Sequence, residues 1–322
     1  MIVSSVSDLL SCSLFYQLED LITVPVYLKI EGLNIANSIK LKTSKHMLEV
    51  HEKKQNIVKG KTKIICSTSG NLGIALSIIC KAKGYDLICV VDLNTNLAAV
   101  DLIKLYGAKV IIVQEKDING GFLGTRIKLI HKMMDQDKTF FWINQYEDQE
   151  NAVAHYKTTA QEIYDEISDV AYLFVGAGTT GTLMGCARFF KEYSPETRIV
   201  AVDSKGSVTF SQSPKRRYIP GLGTSHRPGI VNERYIDDIV WVDDQSTAEM
   251  CHYIFDRYGL CIGGSTGSVL SAIYNKYKNI CGKVVAISPD LGHSYLKSIY
   301  SLEWLEERGI FLPHSGKCNL RA

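Results

Sequence analysis

The chain predicts an α/β fold of parallel strands joined by crossover helices, on three observations. The stretch 66–92, CSTSGNLGIALSIICKAKGYDLICVVD, follows Lys63-Ile64-Ile65 and reads as strand, hydroxyl-rich turn, helix and strand, a βαβ unit. Apolar runs of strand length then alternate with helical patterns along the rest of the chain. Three bends rich in glycine and hydroxyls, at 67–71, 176–182 and 263–267, each lead into a helix. Open α/β sheets bind ligands beyond the carboxyl ends of their strands, where such bends lie.

The first strand, 63–66, is a continuous apolar run with a β-branched pair, as a strand buried on both faces requires. Helical spacing of apolar residues runs from Leu72 to Ala82, and Lys83-Gly84 supplies a stop before the strand 87–91. Upstream, 24–29 is the clearest strand of the first thirty residues, and Glu31-Gly32-Leu33-Asn34 a turn. A helical pattern carrying Met47, Leu48 and Val50 follows, with Asn37 or Ser38 as its expected cap. Lys40 then falls in the first helical turn, where the helix dipole is positive and a cation is disfavoured. An exposed lysine would tolerate that small penalty; a desolvated one would titrate low or react as a free amine.

Strands are predicted at 109–113, 140–143, 172–175, 199–202, 239–242 and 284–287, the last ending at Ser288-Pro289-Asp290. Helices are predicted at 122–134, 151–167, 183–193 and 246–258. The 204–235 stretch is irregular and carries Lys215-Arg216-Arg217 and Pro220-Gly221-Leu222-Gly223; it reads as a lid or as a solvated excursion.

Composition narrows the function classes. The 322 residues are 46% hydrophobic and 22% charged with a net charge of +2, so two core-bearing lobes are affordable and no bulk field draws nucleic acid or membrane. No apolar run has the length of a membrane span, and MIVSSVSDLLS lacks the basic start and long apolar core of a secretion signal. None of the nine cysteines is spaced Cys-x-x-Cys, and Cys66, Cys80, Cys89 and Cys186 lie in apolar patterns, as buried thiols in a reducing cytoplasm would. His46 and His51 stand five apart and His226 alone, so no metal is expected.

Gly176-Ala177-Gly178-Thr179-Thr180-Gly181-Thr182 has the make-up of a phosphate cradle: glycines admit the ligand, helix N–H groups point at it and threonines donate to it. It is not a P-loop, and as a dinucleotide fingerprint it is weak, with Asp203 the nearest acidic candidate. Three such bends with one oddly placed lysine suit pyridoxal phosphate, which needs an imine-forming lysine, a phosphate cup, a ring-nitrogen partner and a carboxylate site.

Ser67-Thr68-Ser69-Gly70-Asn71, Gly178-Thr179-Thr180-Gly181-Thr182 and Gly263-Gly264-Ser265-Thr266-Gly267 resemble the three loops of the cysteine synthase/cystathionine β-synthase family. Trp142-Ile143-Asn144-Gln145-Tyr146 and the segment 200–208 extend the likeness over nearly the whole chain. The resemblance implies a fold-type II pyridoxal-phosphate enzyme, tryptophan synthase β-like, with two three-layer αβα lobes and the active site between them. It implies a smaller mobile lobe at 35–145, a larger cofactor-phosphate lobe from 1–34 and 146–322, and a homodimer acting on small amino acids.

Carried over by position, Lys40 would be the Schiff-base lysine and Asn71 the partner of the cofactor's phenolic oxygen. Gly178, Thr179, Thr180, Gly181 and Thr182 would hold its phosphate, and Ser265 would face the pyridine nitrogen. Thr68, Ser69, Asn71 and Gln145 would bind the substrate carboxylate, with Tyr146 beside the activated-serine group. The likeness is nearest to the branch that joins O-phospho-L-serine to L-glutamate on the way to 2,3-diaminopropionate. Departures from the family pattern are a missing Pro and Asp-Arg around Lys40, and Ser11-Cys12-Ser13-Leu14 in place of an N-terminal Gly-x-Thr-Pro turn. Gly178 matches the acetylserine-using branch. Cysteine synthase chemistry with sulfide, a non-catalytic regulatory protein and a nucleotide-dependent enzyme are the competing readings.

Overall fold

A computed structural model describes residues 6–9, 13–118 and 120–312, so Ser11 and Cys12 of the N-terminal segment lie outside the described residues. The chain runs β1 (Phe15–Leu18), β2 (Val26–Ile30), α1 (Lys40–Lys53), β3 (Lys63–Ser67), α2 (Asn71–Lys83), β4 (Asp86–Asp92), α3 (Leu97–Leu105), β5 (Lys109–Val113), α4 (Leu123–Gln136) and β6 (Phe140–Trp142). It continues with α5 (Glu150–His155), a π-helical turn (Tyr156–Ala160), α6 (Gln161–Glu166), β7 (Val170–Gly176), α7 (Gly181–Tyr193), β8 (Arg198–Ser204) and β9 (Asp238–Val242). α8 (Asp244–Tyr258), α9 (Gly264–Lys276), β10 (Lys283–Ser288) and α10 (Leu302–Glu306) complete it.

Two sheets result. The larger has the order β1-β2-β10-β7-β8-β9 and the smaller β5-β4-β3-β6. Every pairing is parallel except β1 with β2. Parallel strands must be covered on both faces, and the apolar runs predicted to be central strands are: Ile64, Ile65, Leu173, Phe174, Val284 and Val285 are all fully buried. α2 is apolar nearly all round because it is enclosed; its residues 72–80 are buried throughout. Gly73 lets it settle there, since a Cβ would stand 2.7 Å from both Ile103 Cδ1 and Thr68 Cγ2.

The structure corrects several expectations. Neither Asn37 nor Ser38 caps α1: Ile39 holds the cap position without a side-chain bond. Ser38 instead forms a backbone bridge to Asp290, while Ile39 N–H donates to Pro289 O at 2.7 Å. The second and third bends do lead into helices: residues 177–180 bend before α7, and Gly181-Thr182 and 264–267 make up the first turns of α7 and α9, where backbone N–H groups are free of intrahelical partners in any case. The helix predicted over 151–167 is broken by its π-helical turn. α7 presses on it so closely that a Cβ on Gly185 would lie 2.3 Å from Ala152 O. The 204–235 stretch is not a solvated excursion: Ile219 and Leu222 enter the large-lobe core, and Gly223 N–H donates to Ala177 O at 2.8 Å. No helix among the described residues is long and apolar enough to cross a membrane.

Candidate active site

The carboxyl ends of both sheets meet around Lys40, the first residue of α1. Its side chain is half-buried, and Nζ donates to Thr179 Oγ1 at 3.2 Å across 139 residues of sequence. Loss of hydration lowers its pKa from 10.5 to about 8. Such an amine is partly neutral near pH 7.5 and can attack a carbonyl or take a proton.

Beyond it, the chain leaves β7 and enters α7 through a cup. Thr180 sits at φ +65°, and its buried Oγ1 makes no hydrogen bond. Gly178 and Gly181 are both required by close approach. A Cβ on Gly178 would come 3.1 Å from Gly221 O; one on Gly181 would come 2.1 Å from Asn151 Oδ1. The α7 N-terminus has no side-chain cap, so its N–H groups face the cup. Thr182 Oγ1 lies 3.3 Å from His155 Nε2, which also meets Thr43 Oγ1 at 2.9 Å, while Nδ1 meets Thr159 Oγ1 at 3.1 Å. Burial first, and Lys40 and Lys42 next, hold His155 well below its usual pKa, so it is a neutral imidazole among three hydroxyls. Free N–H groups, an unsatisfied hydroxyl and a helix dipole make this an anion cup that a phosphate fits.

On the small sheet, Ser67 ends β3, and Thr68 Oγ1 accepts the N–H groups of Gly70 and Gly73 at 3.0 and 3.1 Å. That shapes the turn, which Gly70 completes at φ +144°, leaving Ser69 exposed. Gln145 Nε2 donates to Ser67 O at 3.2 Å, while Gln145 Oε1 and Ser67 Oγ are buried without partners. Tyr146 is buried beside Arg126; burial raises its pKa and the guanidinium opposes the shift. Arg126, from α4, is only 5% exposed, and its Nε lies 3.5 Å from Asp92 Oδ2 at the end of β4. Neither its Nε nor its Nη1 makes a hydrogen bond.

Ser265 is buried in the first turn of α9. A Cβ on Gly221 would stand 3.7 Å from its Oγ and 3.9 Å from the Tyr295 hydroxyl, which locates both beside the 204–235 loop. Asn71 Nδ2 donates to Asp290 Oδ2 at 2.8 Å, and so does Tyr295 at 2.6 Å. Asp203 is the penultimate residue of β8; burial pushes its pKa up to about 6, and its Oδ2 is unbonded. Lys40, the three glycine-hydroxyl segments, Gln145 and Tyr146 are thus gathered at one place. Lys215 and Arg216 stay exposed outside it.

Buried polar atoms seldom lack partners. Here they recur after strands of both sheets: Ser67 at β3, Gln145 after β6, Thr180 after β7, Asp203 at β8 and Asp290 after β10. That distribution marks a site built for a polar ligand. The sequence reading missed His155, Asn151 and Tyr295, and took no functional meaning from Asp290. His155 and Asn151 were hidden in a helical pattern, whereas Ser288-Pro289-Asp290 at a strand's carboxyl end was a visible signal.

A family model described as pyridoxal-phosphate dependent enzyme matches residues 14–290. Among solved structures, a hydrogen sulfide-producing enzyme from Fusobacterium nucleatum is 30% identical, with a TM-score of 0.85 over 92% of this chain and 100% of that one. O-ureido-L-serine synthase is 26% identical, with a TM-score of 0.84 over 92% of this chain and 95% of that one. An O-acetylserine dependent cystathionine beta-synthase from Helicobacter pylori is 25% identical, with a TM-score of 0.86 over 94% of this chain and 100% of that one.

Proposed function

The chain belongs to the pyridoxal-phosphate dependent enzyme family, its cofactor is pyridoxal 5'-phosphate, and from that premise we propose a β-replacement on O-phospho-L-serine with L-glutamate as the amine. The product would be N-(2-amino-2-carboxyethyl)-L-glutamate, a precursor of 2,3-diaminopropionate, which makes the protein an N-(2-amino-2-carboxyethyl)-L-glutamate synthase.

Lys40 Nζ would hold the cofactor covalently, the 178–182 cup its phosphate, Asn71 its phenolic oxygen and Ser265 its ring nitrogen. Once bound, the cofactor withdraws electrons from the substrate's α-carbon and makes its proton acidic. Lys40 Nζ would be the base that takes that proton and the acid that returns it; a pKa of about 8 suits both directions. Thr68, Ser69 and Gln145 would hold the substrate carboxylate. A neutral hydroxyl at Ser265 leaves the cofactor ring less electron-withdrawing than a carboxylate would, which favours elimination and addition. The smaller lobe, residues 35–145, would close over the substrate and exclude water. Free thiols among the described cysteines fit a reducing, cytoplasmic setting, and a homodimer is the expected assembly.

The donor assignment rests on Arg126. A buried guanidinium beside Tyr146 that Asp92 approaches only to 3.5 Å, with two nitrogens free of hydrogen bonds, has room for a second anion, and the phosphate ester of O-phospho-L-serine is anionic whereas an acetyl ester is neutral. A donor-by-acceptor matrix tests the reading: O-phospho- or O-acetyl-L-serine against L-glutamate or sulfide, with products identified by mass. Phosphoserine with glutamate should dominate. Arg126→Met should raise KM for phosphoserine about a hundredfold and barely change that for acetylserine. Sulfide turnover without glutamate turnover would instead establish a cysteine synthase, the reading that Gly178 supports.

A further inference from the structure

The segment that follows β10 grips the small lobe at two helix N-termini. Asp290 accepts from Asn71, the first residue of α2, and Ser294 O accepts from Asn96 Nδ2 at 2.7 Å. Asn96 is the N-cap of α3, its own Oδ1 accepting Ala98 N–H at 2.9 Å. One short piece of the large lobe thereby holds both helices that flank the 67–71 turn and β4.

Asp290 is fixed in place. Ser288 Oγ donates to its carbonyl at 3.2 Å, Thr266 Oγ1 donates to Ser288 Oγ at 3.0 Å, and Tyr295 donates to its Oδ2 at 2.6 Å. Room for the carboxyl comes from Gly263, where a Cβ would lie 2.0 Å from Asp290 Oδ1. The carboxyl is 5% exposed, its Oδ1 is unbonded and no cation pairs with it among the described residues. Burial raises its pKa. A group that served packing alone would be apolar, because an uncompensated buried carboxyl destabilises the fold. What this one does is orient the Asn71 amide. One Nδ2 proton of Asn71 is committed to Asp290, and the same amide interacts with the Tyr295 hydroxyl, so the amide plane is set by the large lobe.

We propose that Asp290, backed by Tyr295, is a positioning residue: it clasps the small lobe through Asn71 and presents that amide to the cofactor. The inference rests on the cofactor contact proposed for Asn71 and is independent of which donor or acceptor the enzyme uses. Retention of the cofactor therefore tests it without turnover.

Holoenzymes of the wild type, Asn71→Ala, Asp290→Ala, Asp290→Asn and the Asn71→Ala/Asp290→Ala double variant are diluted, and cofactor release is followed by absorbance. Asn71→Ala and Asp290→Ala should each weaken retention about three- to tenfold, the scale of one hydrogen bond. The double variant should be no weaker than Asn71→Ala alone, because Asp290 acts through Asn71. Asp290→Asn keeps a carbonyl oxygen for both donors and should restore wild-type retention; it also covers the case in which Asp290→Ala fails to fold. Additive losses in the double variant, or wild-type retention in Asp290→Ala beside a weakened Asn71→Ala, would overturn the proposal and leave the cofactor role of Asn71 standing. Wild-type retention in Asn71→Ala would overturn both.

Discussion

Replacing Lys40 by methionine should abolish turnover and yet stabilise the cofactor-free chain at neutral pH. The Lys40 amine falls from 10.5 to about 8 on folding because burial removes its hydration. At about 1.4 kcal/mol per tenfold change in proton affinity, that is roughly 3 kcal/mol against the charged form. The side chain is only half-buried, so screening reduces the figure to about 2 kcal/mol. Methionine also loses the bond to Thr179 Oγ1, worth about 1 kcal/mol. A net gain of about 1 kcal/mol remains at pH 7, or roughly 1–2 °C in Tm.

The sign depends on pH. Below 8 the amine is charged both folded and unfolded, and the folded chain carries the whole penalty. Between 8 and 10.5 the folded chain binds fewer protons than the unfolded one, so wild-type stability rises with pH and the variant's advantage disappears. Above 10.5 only the lost hydrogen bond remains, and methionine is the less stable. Thermal unfolding of both cofactor-free chains from pH 6.5 to 10.5 reads the crossing. A difference that is flat across that range would show that Lys40 is not desolvated, and measurable turnover by the variant would remove it from the chemistry.

Three further outcomes can be checked. Gly181→Ala should cost about 2–4 kcal/mol, since its Cβ cannot coexist with the buried Asn151 side chain that donates to Gln145 O at 2.7 Å; an unchanged Tm would refute the close packing. Thr180→Val removes an unsatisfied buried hydroxyl, so the cofactor-free chain should be no less stable while cofactor affinity drops about tenfold; equal affinity by equilibrium titration would deny Thr180 a place in the cup. Ser265→Asp should slow β-replacement by placing a carboxylate at the ring nitrogen, and a rate equal to wild type would show that Ser265 lies elsewhere.

Local chemistry made much of this protein legible before any coordinates. Parallel strands buried on both faces, such as β3, β4 and β10, are written as apolar runs, and the glycine-hydroxyl segments stand out because close approach and free helix N–H groups demand them. Lys40 was visible as a cation at the wrong end of a helix. Elements with weak periodicity were not: β1 is a four-residue antiparallel edge strand with its middle residues exposed, and α3 leaves Leu97 and Leu105 largely in solvent. Tertiary structure alone decided what depends on contacts distant in sequence. It set β10 between β2 and β7, brought Lys40 to Thr179, joined Asn71 to Asp290 across 219 residues and closed Arg126 over Tyr146. Residue patterning reports on neighbours a few positions away, whereas strand order and the pairing of two lobes follow from how whole layers bury one another's faces.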